Sequence, residues 1–222
     1  MISHEIRTPL NAILGFSGLI ANPPAGLDLT EDRRRNYVNS LQQATNTIIA
    51  LVEQVLDITR LRTGEVTPSI DRLQVAEIVD RVILICEPSL QPRGITVDHD
   101  IESDVWILCD APMIDRALLN ILSNAEKYSP EGGHIAIRMT TDRQYARVAV
   151  TDAGSGIPPK DLERLAQPFV RLEQAYAYRT QGTGLGLAIA KLIMERNRGT
   201  LQIDSVVGQG TTVTLALPME PA

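Results

Sequence analysis

YVNSLQQATNTIIALVEQVLDI, residues 37–58, decides how the N-terminal part of this chain folds. Tyr37, Leu41, Ala44, Ile48, Leu51, Val55 and Ile58 recur at alternating steps of four and three residues. On a helix that spacing lays an apolar seam along one side, the pattern of helices that pack on other helices. Thr30 stands where its hydroxyl would cap the start of this helix, and Glu31 and Asp32 sit against its positive end. Upstream, Asn22-Pro23-Pro24-Ala25-Gly26 breaks regular structure, because proline lacks an N–H donor and glycine relaxes the backbone. Before that break Ile6, Leu10 and Ile13 repeat the seam, which predicts a first helix from about Ile2 to Ile20. A two-helix hairpin striped in this way cannot bury its seam alone. Pairing with a second copy into a four-helix bundle would bury it; packing on the rest of the same chain is the other solution. Gly64 and Pro68 end the helical region.

From there the period changes. Short β-branched runs at 94–101, 105–109, 134–141, 146–151, 200–205 and 211–217 are interleaved with helical stretches at 75–87, 112–127, 159–166 and 185–196. This alternation, with neighbouring strands able to pair as hairpins, predicts a two-layer α/β sandwich with helices on one face of a mixed sheet. The expected organisation is multi-domain: an all-α helical hairpin over residues 1–66, then an α/β domain over residues 67–222.

Bulk properties narrow the function. A length of 222 residues suits one large domain or two ordinary ones. Hydrophobic residues at 44% mark a globular chain, and aromatics at 4% leave the cores to Leu, Ile, Val and Ala. The net charge of -6 argues against a nucleic-acid partner, whose phosphates call for a basic surface; it leaves room for a nucleotide held by a few placed cations. Cys86 and Cys109 form no CxxC pair and have no His at metal-ligand spacing, so both read as core thiols in a reducing compartment. No apolar run approaches the ~18 residues needed to span a bilayer, and no signal peptide follows Met1. The expected compartment is the cytoplasm, with a membrane anchor elsewhere in a longer protein left open.

Four short stretches carry possible chemistry. On the helix at 112–127, Asn120, Asn124 and Lys127 share one face, opposite Leu118, Leu119, Ile121 and Leu122. Amide oxygens suit Mg²⁺ and an ammonium suits phosphate; a solvated helix face is the plain alternative. Asp152 ends a strand and is followed by Ala153-Gly154-Ser155-Gly156-Ile157. A carboxylate there can accept a hydrogen bond from an exocyclic amine, and the glycines admit a flat ring close to the backbone; an ordinary turn would look the same. Gln181-Gly182-Thr183-Gly184-Leu185-Gly186-Leu187 opens a helix with alternating glycines, exposing N–H groups suited to phosphate. No Gly-Lys-Ser/Thr follows, so it is not a P-loop, and no strand precedes it as a dinucleotide fold requires. Ser3-His4-Glu5-Ile6-Arg7-Thr8-Pro9 places His4 off the apolar seam, beside Glu5 and one turn before Thr8. An exposed His beside a carboxylate is either a surface residue or an oriented nucleophile.

The order and spacing of these stretches resemble the histidine kinases of two-component systems. His4-Glu5-x-Arg7-Thr8-Pro9 resembles their H box, and Asn120-x-x-x-Asn124-Ala125-x-Lys127-Tyr128-Ser129 their N box. Asp152-x-Gly154-x-Gly156 is similar to the G1 box, Pro168-Phe169-Val170-Arg171 to the F box, and Gly182-Thr183-Gly184-Leu185-Gly186-Leu187 to the G2 box. Gly208-Gln209-Gly210-Thr211 resembles a closing Gly-rich turn. The resemblance implies a dimerising phosphotransfer hairpin, a homodimer through that hairpin, and an ATP-binding domain of the gyrase-like type. It implies His4 as phosphoacceptor, Glu5 as the base that orients it, and Thr8 as a helper in hydrolysing the partner's phospho-aspartate. Asn124 would bind Mg²⁺, with Asn120 near metal and phosphates, Lys127 on phosphate, Tyr128 on the adenine side and Asp152 on the adenine amine. Gly154, Gly156 and Ile157, and Gly182, Thr183, Gly184, Leu185 and Gly186, would complete the ATP site. Arg171 would approach the γ-phosphate, and residues 173–181 would form a lid with Arg179 as a phosphate contact. The implied cofactors are ATP and Mg²⁺, and the implied partner is the receiver domain of a response regulator.

Two departures stand beside the resemblance. Glu126 precedes Lys127 where the family usually has an apolar residue, and its carboxylate is expected to point to solvent. His4 lies only three residues from the first residue, so an upstream sensor segment of a longer protein is expected. A phosphatase-dominant or weakly active regulatory ATP-binding module is the alternative function; the intact His4, Glu5, Asn124 and Asp152 argue against it. The H box and heptad hairpin argue against a gyrase-like ATPase clamp, which needs neither.

Overall fold

The structure, a computed structural model, describes residues 2–24, 26, 28–168, 170 and 183–219, with the side chains of residues 2–4 and 163 outside the description. By compactness it divides into Met1–Asp57 and Ile58–Ala222.

The first unit holds α1 (Ile2–Ala21) and most of α2 (Glu31–Thr63). Pro9 lies inside α1 and withholds the N–H that would bond the Glu5 carbonyl. Thr30 Oγ1 accepts from Arg33 N at 3.4 Å, a long version of the expected cap. Phe16 and Tyr37 meet with ring centroids 5.5 Å apart. Along the α2 seam Ala44 and Leu51 are buried, and Leu41, Ile48 and Val55 are half-buried. A second stripe stays open, with Ile49 51%, Val52 47% and Leu56 47% exposed. Leu10, expected on the seam of α1, is 43% exposed.

The second unit begins with the last turns of α2. Then follow β1 (Asp71–Gln74), α3 (Val75–Leu90), a 3-10 turn (Gln91–Arg93), β2 (Thr96–Asp100), β3 (Trp106–Cys109) and α4 (Ala111–Tyr128). β4 (His134–Thr141), β5 (Tyr145–Asp152), α5 (Pro159–Leu165), α6 (Gly186–Arg196), β6 (Thr200–Val206) and β7 (Gly210–Pro218) complete it. Five strands form one mixed sheet in the order β2-β4-β5-β7-β6. β4 with β5 and β6 with β7 are antiparallel neighbours, as expected of hairpins. β2 and β3 do not pair with each other. α4 separates β3 from β4 in the chain, and it serves as part of the crossover that lets β2 pair in parallel with β4. β3 pairs instead with β1 in a separate two-stranded sheet.

The helix layer follows from apolar periodicity. α3, α4 and α6 pack side by side. Ile114, Ile121, Ile189 and Met194 are at most 1% exposed, and burial of side chains this size stabilises by about 1.5–3 kcal/mol each. On the sheet, β5 alternates buried Ala146, Val148, Val150 and Asp152 with half-buried residues, the mark of one covered face. α4 starts firmly: Asp110 Oδ1 accepts from Met113 N at 3.0 Å, and Pro112 occupies the first turn. Asn197, 1% exposed, joins α6 to α4 by accepting from Asp110 N at 2.8 Å and donating to Ile193 O at 3.0 Å. At the end of α2, Arg196 Nε donates to Leu61 O at 2.8 Å. No helix of the described residues is long and apolar enough to cross a membrane.

Candidate functional site

Asp152 is the last residue of β5, the central strand of the sheet, and it is only 8% exposed. Its Oδ1 accepts from Gly154 N at 2.8 Å and from Thr211 N at 3.2 Å. Among the described residues Oδ2 has no such bond. Burial pushes the carboxyl above its ordinary range, against the opposing pull of those two N–H donors. The loop that follows leaves no room for side chains. A Cβ on Gly154 would lie 2.7 Å from both Asp152 Oδ1 and the Tyr128 carbonyl oxygen. One on Gly156, at φ +67°, would lie 2.0 Å from the Val206 carbonyl oxygen. These glycines are therefore steric requirements of the fold.

The turn between β6 and β7 backs this loop. Gly208 N donates to Ser155 O at 2.8 Å, and Ile157 N donates to Ser205 Oγ at 2.9 Å. Ser205 Oγ in turn donates to Gly210 O at 2.7 Å. Gly210, at φ +108°, would place a Cβ 1.9 Å from the Asp152 carbonyl oxygen. Ser205 and Thr211 thus hold the expected adenine-side loop in place; Thr211 belongs to the expected closing Gly-rich turn, and Ser205 carried no expectation. A hydroxyl residue at a strand end just before a Gly-x-Gly turn is the signal that could have marked Ser205.

α4 supplies the opposite wall. Asn120, Asn124 and Lys127 are half-buried on it, as their shared face predicts, and Leu118, Ile121 and Leu122 are buried. Leu119, expected among the buried residues, is only half-buried. Asn120 faces the start of α6: a Cβ on Gly186 would stand 3.4 Å from Asn120 Oδ1. Asn120 Nδ2 is buried with no hydrogen-bond partner among the described residues. A buried amide donor left unmade costs about 1–3 kcal/mol, so an acceptor such as a phosphate oxygen fits it. Leu185 is fully buried, its N–H donating to Thr183 Oγ1 at 3.3 Å, and Gly184 takes φ +67°. At the other end of α4, Lys127 Nζ lies 5.1 Å from the Tyr128 ring centroid. Lys127, Tyr128 and Gly154 line a cavity of about 770 Å³, together with Arg93, Glu126 and Gly208. Glu126 is half-buried, and its carboxylate accepts from Ser89 Oγ of α3 at 2.9 Å in an exposed position, on the solvent side as expected.

Two expected segments therefore meet α4: the start of α6 at Asn120, and the loop after Asp152 at Tyr128. Arg171, Arg179, Gly182, Phe169 and the lid at 173–181 lie outside the described residues. Glu5 is half-buried and Thr8 exposed on α1; the side chain of His4 is outside the description. Among the described residues no group of three or more His, Cys, Asp or Glu could hold a metal ion. A divalent ion would depend on an amide oxygen and on phosphate oxygens, both of them the hard oxygen donors that Mg²⁺ takes.

Comparison with known proteins agrees with this geometry. Residues 109–221 match the family model of histidine kinase-, DNA gyrase B- and HSP90-like ATPases. Residues 1–64 match the His Kinase A (phospho-acceptor) domain. The non-motile and phage-resistance protein of Caulobacter vibrioides is 34% identical over 98% of this chain and 26% of its own length. The chain spans between 21% and 42% of the first three curated relatives it matches. Full-length ShkA in complex with AMPPNP is 28% identical, with a TM-score of 0.74 over 99% of this chain and 45% of that one. Histidine kinase ThkA in complex with the response regulator TrrA, at 24% identity, shares the fold, with a TM-score of 0.76 over 99% of this chain and 60% of that one. A phospho-acceptor segment followed by a gyrase-like ATPase domain, with the geometry above, means that this chain belongs to the sensor histidine kinases.

Proposed function

We propose that the chain binds Mg-ATP along α4, phosphorylates His4, and passes the phosphoryl group to an aspartate of a response-regulator receiver domain. The reading divides the chain into a phosphotransfer hairpin, 1–66, acting as a homodimer, and a catalytic domain, 67–222. The observation that carries it is a polar group on each wall: the buried, unpartnered Nδ2 of Asn120, and Asp152, whose Oδ1 alone bonds the loop and leaves Oδ2 for a ligand. A nucleotide answers both, with phosphate oxygens for the first and an adenine amine for the second. ShkA is solved with a nucleotide analogue, and ThkA with a response regulator, which supports the same two partners here.

In this mechanism Asp152 fixes the adenine end, and Tyr128 flanks the ring. Lys127 and the N–H groups of the loop before α6 receive phosphate oxygens. Asn124 offers its amide oxygen to Mg²⁺, which when bound offsets charge on the phosphates. Glu5 orients the His4 imidazole so that a ring nitrogen lone pair attacks the γ-phosphorus. That N–P bond forms as the bond to the bridging oxygen breaks, and ADP departs with the electron pair. Arg171 offsets the charge that develops. The receiver's carboxylate then attacks the phosphorus of phospho-His4, freeing the imidazole; Thr8 assists a water in hydrolysing the resulting acyl phosphate.

The test is incubation with Mg²⁺ and γ-labelled ATP beside a His4→Ala variant. The expected label is lost in acid, survives base and is absent from the variant. Label that persists in His4→Ala would place the acceptor elsewhere.

A further inference from the structure

The C-terminal turn of α4 is held from outside. Arg93, in the 3-10 turn after α3, donates from Nη2 to the Ser129 carbonyl at 2.7 Å and from Nη1 to the Glu126 carbonyl. The last four carbonyls of a helix lack partners within it, and a cation at that end also meets the negative pole of the helix. Glu126 and Ser129 directly flank Lys127 and Tyr128. The guanidinium fork therefore pins the backbone on both sides of two residues expected to face the nucleotide.

A second set of bonds fixes Arg93 itself. Gly132 N donates to the Arg93 carbonyl at 2.9 Å, and Thr96 N to the Gly133 carbonyl at 3.0 Å. Gly94 takes φ +62°, which turns the chain so that these two loops run against each other. On the far side, the Tyr128 carbonyl oxygen is one of the two atoms that leave no room for a Cβ on Gly154. A shift of this turn would thus be felt by the loop after Asp152. Arg93 also lines the cavity shared by Lys127, Tyr128 and Gly154. A planar fork suits two carbonyls at a fixed separation; a lysine ammonium offers only a point charge on a flexible stem.

We propose that Arg93 is a positioning residue for nucleotide binding, its guanidinium holding the end of α4 so that Lys127 and Tyr128 keep their places at the proposed nucleotide site. It acts through those two residues. The proposal rests on the nucleotide site described above.

The experiment is calorimetric titration of the 222-residue chain with Mg-ATP, comparing wild type, Arg93→Gln, Arg93→Lys, Lys127→Ala and the Arg93→Gln/Lys127→Ala pair. Arg93→Gln should weaken binding about tenfold. The double variant should bind more tightly than the product of the two single losses predicts, because residues that act through one another do not add. Arg93→Lys should recover only part of the loss, and it carries the same comparison if Arg93→Gln does not fold. A merely structural Arg93 would lower the melting temperature and leave affinity unchanged, or its loss would multiply with that of Lys127→Ala; either result overturns the proposal. Absence of Mg-ATP binding by the wild type overturns the nucleotide site itself, a failure distinct from loss of the Arg93 role alone.

Discussion

Replacing Asp152 by asparagine separates what this side chain does for the fold from what it does for a ligand. The asparagine Oδ1 can still accept from Gly154 N and Thr211 N, so the loop keeps both bonds. The other branch changes from an acceptor to an NH₂ donor. An adenine amine arriving there meets a donor instead of an oxygen. A hydrogen bond to a charged group contributes about 1.5–3 kcal/mol, and a buried donor left unmade costs about 1–3 kcal/mol. A loss near 3 kcal/mol weakens ATP about 100-fold. Stability moves the other way. Burial raises the native carboxyl above its ordinary value of 3.8. A raised carboxyl contributes stability that is fully present below the unfolded value and is lost as pH rises through the native one. Asparagine escapes that loss. The melting temperature of Asp152→Asn minus that of wild type should therefore grow as pH rises from below 3.8 to neutrality. Calorimetric titration with ATP and thermal melting across pH check both halves. Wild-type affinity in the variant, or a melting temperature that falls at neutral pH, would refute the reasoning.

Gly210→Ala should destabilise the second unit by about 3 kcal/mol or more, since its Cβ would lie 1.9 Å from the Asp152 carbonyl oxygen at φ +108°; urea unfolding reads this, and a change below about 1 kcal/mol contradicts the packing. Both cysteines should resist a thiol reagent at pH 8, because burial raises the Cys86 thiol and pushes Cys109 up to about 12. Two thiols should appear when denaturant is added, and rapid reaction of the folded chain would show the burial to be wrong.

Local pattern and long-range pairing were not equally legible in the sequence. α4, β5 and α6 follow from period and turn residues, which lie within a few positions of each other. The pairings do not: β2 and β3 are consecutive, yet each finds its partner elsewhere, because α4 carries the chain away between β3 and β4. β1 escaped notice because Asp71-Arg72-Leu73-Gln74 has a single apolar residue; it is held by pairing with β3 and by Arg72, whose guanidinium lies 4.2 Å from the Trp106 ring centroid. At the candidate site, the residues expected to touch a nucleotide came from the resemblance. Arg93, Ser205 and the Ser89 partner of Glu126 were not, since each acts on a segment tens of residues away.

The position of Asp152 also sets when the site can form. β5 closes quickly on β4, across a turn where Asp142 bonds the N–H groups of Gln144 and Tyr145. Its other neighbour, β7, supplies the Thr211 N–H to Asp152 from 59 residues further along. Contacts that close long loops form late. During synthesis from the N-terminus, α4 and the β4–β5 hairpin therefore emerge and collapse with the adenine-side loop still unsupported. The proposed adenine site is completed only when the C-terminal hairpin docks, so a chain cut short before β7 would retain most of its helices and lack the Thr211 support of Asp152.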